Sequence, residues 1–260
     1  MAISFIGSAS NSSAGNAASL VVTLPGSMQS NDLIIVAGAV GDTADNGLAA
    51  PSTGGYTDVL GASDLYSNDV NDVCLDLFYK FHNGSDTNIT FTPVGGANAS
   101  NAAVCMVFRV VATVAQGGPF SATTVTATGV SSSDANPPSI ATAAGDAVVI
   151  VGATGHTGGA TATYVNPLNY TVNGAQQAHD DAIDILAGMG YRLSGYGNPE
   201  DPAVFTAASI GTAADNAWAA ITMALKEAPP VTDVFIEGLH RIEQGMKPNT
   251  AAGMGGVLQE

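Results

Sequence analysis

A chain of 260 residues can form one large sandwich or two ordinary domains, and with only 11% charged residues it is far poorer in charge than the quarter or so usual in soluble domains. Twenty-two acids, seventeen of them Asp, face six bases for a net charge of −16, and no Lys or Arg precedes Lys80. A surface of that sign repels phosphate backbones and anionic membranes, and no apolar run reaches the ~18 residues of a membrane span, so neither nucleic acid nor membrane is expected as a partner.

The first residues, Met1 to Gly7, carry no basic stretch and no long apolar run, so no signal peptide is expected and synthesis in a cytoplasm is implied. Strands are then expected over Leu20–Leu24, Asp32–Val40, Tyr56–Gly61, Val73–Phe81, Asn88–Pro93 and Ala102–Ala112, all rich in Val, Ile, Phe, Tyr and Thr. Val73, Leu75, Leu77, Tyr79 and Phe81 share one face, with Asp76 and Lys80 on the other. Val104, Met106, Phe108 and Val110 oppose Arg109 in the same way. Leu33–Ala37 is apolar on both faces, which marks a central strand covered on both sides. Turn clusters such as 41–47, 83–86 and 95–98 separate these runs.

The same pattern then returns. Asp32 with the apolar run after it reappears at Asp146, Tyr56 at Tyr170 and Phe91 at Phe205, each 114 residues on. Phe78–Phe81 matches Gly190–Leu193 at 112, and Ala103–Met106 is aligned with Ala217–Ala220 at 114. Four anchors in one register indicate an internal duplication. Between the copies, Ser121–Asp134 alternates Thr124, Thr126 and Thr128 with Val125 and Ala127, a strand followed by the loop at Asn136-Pro137-Pro138. Strands this numerous without intervening helices predict an all-β chain of two tandem jelly-roll-like antiparallel β-sandwiches, closely packed, over residues 1–116 and 117–228.

Beyond Lys226 the character changes. Pro229-Pro230 stops the last strand, and Thr232 or Asp233 can cap a helix to about Met246 with Phe235, Leu239, Ile242 and Met246 on one apolar stripe. Gly238 and Gly245 each weaken it by roughly 1 kcal/mol against Ala. Residues 249–260 follow as a Gly- and Ala-rich extended tail. The third segment, 229–260, is thus an assembly arm expected to dock on another chain through Phe235, Leu239, Ile242, Met246, Met254, Val257 and Leu258, against the alternative of folding back on its own sandwich.

No motif of enzyme chemistry stands out. His82, His156, His179 and His240 are scattered, and His179-Asp180-Asp181 with Asp184 reads as a solvated loop entering a strand. Catalytic and cofactor-binding residues are therefore not assigned. Calcium is the one cofactor weighed: Asp42, Asp45 and Asn46 share one loop, and Asp64, Asp69 and Asp72 another, though neither has EF-hand spacing and Asp is common in turns. Cys74 and Cys105 read as two buried thiols, with a disulfide between neighbouring strands as the alternative. Trp218 is placed in a core strand, leaving Tyr66 and Tyr196 as the platforms on which a sugar could stack.

The order of parts is that of a known group. An N-terminal Ser/Asn/Gly-rich strand pair, a Gly/Asn-Asp-apolar strand, a Gly-Tyr-Thr turn at 55–57, and an aromatic-Tyr-Lys/Arg strand, then a second copy, resemble duplicated β-sandwich virion proteins of tailed bacteriophages over roughly residues 3–227. The segments 242–247 and 250–258 resemble short C-terminal tails of phage structural proteins. That resemblance implies a non-enzymatic virion component, a capsid decoration or cement subunit or a tail-attached protein. It also implies contacts with other virion proteins and a homo-oligomer, a trimer being the commonest arrangement. Asp32, Asp146, Tyr56 and Tyr170 carry over as structural punctuation, not as ligands. The reading from another class is a carbohydrate-binding or adhesin module that recognises glycans on a host surface.

Overall fold

The computed structural model describes residues 2–14, 17–41, 45, 47–61, 64–93, 99–156, 162–178, 184–208 and 216–229, with the backbone alone for 14 and 173–178. The first half runs through β1 (Ser4–Ala14), β2 (Leu20–Thr23), β3 (Leu33–Gly41), β4 (Thr57–Asp58), β5 (Leu65–Ser67), β6 (Val73–Phe81), β7 (Asn88–Phe91) and β8 (Ser100–Arg109). A single 3-10 turn at Val114–Gln116 follows. The second half runs through β9 (Val125–Gly129), β10 (Ala147–His156), β11 (Thr163–Val165), β12 (Thr171–Ala178), β13 (Asp184–Arg192), β14 (Thr206–Ala208) and β15 (Trp218–Leu225). Among the described residues the fold is all-β and its ladders are antiparallel.

The pairings β1·β8, β2·β7 and β3·β6 are nested, as in a long hairpin rolled up on itself, which is the wrapping of a jelly roll. The large sheet of the first half has the order β1-β8-β3-β6-β4, with β5 also on β6. That of the second half, read from its other edge, is β9-β15-β10-β13-β12. The two orders correspond strand for strand, and β9, from the segment joining the halves, is the counterpart of β1. Gly38 pairs with Asp76 and Gly152 with Gly188, so β3 and β10 differ by 114 positions while β6 and β13 differ by 112, as the sequence predicts. The closing strands differ from expectation. Leu33 faces Phe108 and Ala147 faces Leu225, which makes the structural offset 117 and aligns Met106 with Met223.

Alternation along the strands builds four layers. Leu33, Ile35, Leu75, Leu77, Val104 and Met106 of the first large sheet meet Val149, Val151, Ala187, Met189, Ile221 and Met223 of the second in one shared core. On its outer face the first sheet presents Ile34, Val36, Phe78 and Cys105 to the β2–β7 hairpin, with Leu20, Val22, Ile89 and Phe91. The second sheet likewise presents Val148, Ile150 and Leu186 to Tyr164, Tyr170 and Phe205. β3 and β10 are therefore buried along their whole length, as the two-sided apolar run at Leu33–Ala37 requires. Truncating one of their large side chains to Ala would cost about 2–5 kcal/mol.

Polar links fasten the halves at one end of this core. Buried Asn71 donates through Nδ2 to Asn216 Oδ1 at 2.9 Å, and Asn216 donates to Ser133 Oγ at 3.0 Å. Gly155 is bare because a β carbon there would run into the carbonyl oxygen of Asp72. At another point the rings of Phe5 and Tyr191 stack 4.4 Å apart. Residues Met1–Ala228 form one compact unit and Pro229–Glu260 a second. The junction expected at 116/117 falls where the 3-10 turn stops, at Gly117 with φ 95°. The helix expected from about Thr232 to Met246, and the extended tail after it, lie outside the described residues.

Candidate functional site

Asp76 sits in the middle of β6, where alternation turns Cys74, Asp76 and Phe78 away from the shared core. Asp is depleted in strands, and here it is only 5% exposed. The Leu48 N–H donates to its carboxylate. Its Oδ2 is buried and has no hydrogen-bond partner among the described residues. Leu48 also closes the sheet beside it: a β carbon on Gly38, the pairing partner of Asp76, would stand 2.8 Å from Leu48 Cδ1.

Three more carboxylates surround Asp76. Asp64 Oδ2 and Asp76 Oδ2 converge over Gly47, where a β carbon would clash with the first and stand 2.5 Å from the second. The ligand atoms of Asp45, Asp64 and Cys74 lie within 4.8 Å of one another, with Cys74 Sγ 3.8 Å from Asp45 Oδ1. Asp58 completes the rim and accepts the N–H groups of Leu60 and Gly61 at 2.8 and 2.9 Å. Asp58, Asp64 and Asp76 line a cleft of about 250 Å³ with Gly47, Leu48, Gly61 and Phe78, and no Lys or Arg lines it among the described residues. Burial, and then the charges of Asp64, Asp58 and Asp45, push the Asp76 carboxyl up to about 7, the Leu48 N–H only partly opposing them. Such a cleft either keeps a proton or takes up a cation.

A larger groove of about 570 Å³ adjoins the cleft and shares Asp58 and Asp64 with it. Its other walls are Tyr79 and Phe120, in edge contact at 5.4 Å, and the threonines 123, 124 and 126 of the second half.

The structure thus divides the residues weighed as calcium ligands. Asp45 and Asp64 come together from different loops, whereas Asp42 and Asn46 lie outside the described residues. Asp69 and Asp72 are occupied elsewhere. Asp72 accepts from the Tyr66 hydroxyl at 2.6 Å and from the Asp69 N–H at 2.7 Å, and Asp69 accepts the Ser131 N–H at 2.9 Å across the halves. Sequence reasoning missed Asp76 and Asp58; the signal was an acid in the middle of the otherwise apolar run Val73–Phe78.

Cys74 and Cys105 are buried and not joined by a disulfide, and burial lifts the Cys105 thiol well above its ordinary value. Trp218 packs against the outer core of the second half, its indole over the bare α carbon of Gly129. Tyr66 is tied to Asp72, and Tyr196 donates to the carbonyl oxygens of Asp146 and Ala143 at 2.5 and 3.1 Å, so the two expected sugar platforms are braced within the fold. Of the acidic cluster near His179, residues 179–181 lie outside the described residues, while Asp184 is buried 3.9 Å from His156. The arm residues Phe235, Leu239, Ile242, Met246, Met254, Val257 and Leu258 lie outside them as well.

The repeated residues form matched structural sets. Asp32 Oδ2 accepts the Gln29 N–H and Asp146 Oδ2 the Ala143 N–H, both at 2.7 Å, closing the turn into β3 and into β10. Arg109 grips Asp32 through two hydrogen bonds of 2.8 Å. Tyr56 lies under Lys80, which pairs with Asp86 at 2.7 Å. Tyr170 donates to Glu200 at 2.9 Å, and Arg192 pairs with the same oxygen at 2.9 Å.

No family model matches the chain, and neither does a curated protein or a solved structure.

Proposed function

We propose that the protein is a non-enzymatic structural component of a bacteriophage virion, a capsid decoration or cement subunit or a tail-attached protein, anchored through residues 229–260. The observation that carries this reading is the division of the chain into a compact body, Met1–Ala228, and a separate unit, Pro229–Glu260. A body whose two repeated sheets share one core suits a rigid building block, and its matched Asp, Tyr and Lys/Arg positions brace turns and strand edges. The net charge of −16 keeps such a subunit off packaged nucleic acid. Other virion proteins and further copies of the chain, as a homo-oligomer, are its partners in this reading. The test is deletion of Pro229–Glu260: the body keeps its far-UV CD spectrum and melting temperature, while incorporation into particles is lost. Normal incorporation of the shortened chain would sink the proposal.

A second reading, carbohydrate recognition on a host surface, is favoured by the groove of about 570 Å³ with Tyr79, Phe120 and three threonines beside the carboxylates. A glycan array run with Ca²⁺ and with EDTA examines it, and silence in both conditions counts against it.

A further inference from the structure

The geometry points to a Ca²⁺ site in the first half, with the carboxylates of Asp45, Asp64 and Asp76 as protein ligands. The inference is independent of the virion reading, because it concerns a cleft in the body and not the arm. Asp76 Oδ2 carries it: a carboxylate oxygen without a hydrogen-bond partner among the described residues, on a side chain 95% buried, turned into the same space as Asp64 Oδ2 over Gly47. A buried acceptor in that state costs free energy unless something positive meets it. No Lys or Arg among the described residues does so, and the chain has none before Lys80.

The spacing suits a large, hard ion. Oxygens 2.3–2.6 Å from a Ca²⁺ can stand up to about 5 Å apart across its shell; ligand oxygens of Asp45 and Asp64 lie within 4.8 Å of each other, and Asp76 Oδ2 faces Asp64 Oδ2 across the point over Gly47. Three carboxylates supply the charge, and the open side of the cleft leaves room for the waters that complete six to eight ligands. Cys74, 2% exposed, has its Sγ 3.8 Å from Asp45 Oδ1 and is the one soft group beside Asp45 and Asp64 among the described residues. A Zn²⁺ would need it as thiolate; a Ca²⁺ would not.

The experiment uses the full chain, stripped with EDTA and titrated with CaCl₂, read by calorimetry and by melting temperature. A saturable heat with Kd at or below about 10⁻³ M is expected, together with a rise in melting temperature that EDTA reverses. Asp64→Asn and Asp76→Asn should each weaken binding at least tenfold, and Gly47→Ala should do the same by filling the point where the two oxygens converge. Asp69→Asn should leave Ca²⁺ binding unchanged. Asp64 is on a partly exposed loop, so its variant reports on binding even if Asp76→Asn folds poorly. Absence of any Ca²⁺ response up to 10 times that Kd overturns the inference, as does equal binding by wild type and Asp64→Asn. Binding of ZnCl₂ alone, abolished by Cys74→Ser, overturns it in favour of a thiolate site.

Discussion

At the matched position on the outer face of each large sheet, the two halves made opposite choices. In the first half the residue opposite the central glycine is Asp76, flanked by Cys74 and roofed by Leu48 and the carboxylate-bearing loops. In the second half it is Gly188, flanked by Leu186, with the ring of Tyr164 so close that a β carbon on Gly188 would stand 2.8 Å from it. One ladder therefore closes equally well over an aromatic ring or over a cleft of acids. The cleft is not a requirement of the fold, since the second half forms the same sheet order without it. The braces differ in the other sense: both halves keep a turn-closing Asp and a Tyr beside a Lys or Arg paired with an acid. What recurs holds the scaffold, and what does not recur is where the proposed Ca²⁺ site lies.

That contrast can be broken most severely by moving the acid. Gly188→Asp would place an uncompensated carboxylate under Tyr164 and Phe205, and should cost about 4 kcal/mol or more in urea unfolding, enough to empty the folded state of a marginal protein. A Gly188→Asp protein as stable as wild type would show that the second half tolerates the cleft.

The next effect runs with pH, measured in EDTA. Because the folded-state pKa of Asp76 is raised from 3.8 to about 7, the folded protein holds a proton that the unfolded chain has released between these values. The contribution is fully present below about pH 4 and is lost as pH climbs through about 7. Asp76→Asn removes the loss, so at pH 8 the variant should be more stable than wild type by about 2–4 kcal/mol, and near pH 4 about equal. Parallel stability curves from pH 4 to 8 would contradict this assignment.

The smallest expected difference compares the braces. Arg192→Ala leaves Glu200, with its side chain 5% exposed, facing only Tyr170 and local N–H donors, whereas Lys80→Ala leaves the more exposed Asp86 with His82 and Asn83. Losses of about 2 and about 1 kcal/mol are expected in denaturant melts. A reversed order would mean that the matched braces are not equivalent.

Local patterning made much of the scaffold legible. Period-two alternation in Val73–Phe81 gave both faces of β6, and the two-sided apolar run at Leu33–Ala37 gave the central strand. The repeat distance gave the correspondence of β3 with β10. The closing strand was misaligned by three residues because Ala217, Ala219 and Ala220 offer small, interchangeable side chains that fix no register, whereas the ladder aligns Met106 with Met223. β1 was harder to see, since Ser4–Ala14 is mostly Ser, Asn and Ala and owes its strand conformation to pairing with β8.

The sequence by itself determined the strand-forming runs, their faces and the repetition of one pattern, because alternation and apolar content act over neighbouring residues. Only the tertiary structure decided that the two large sheets share a core and that Asp58, Asp64 and Asp76 meet in one cleft, with Asp45 beside Asp64. Those acids are separated by loops whose paths depend on how the sheet and its cover pack. The convergence of Asp64 and Asp76 over the bare α carbon of Gly47 is a matter of space, which no local pattern encodes.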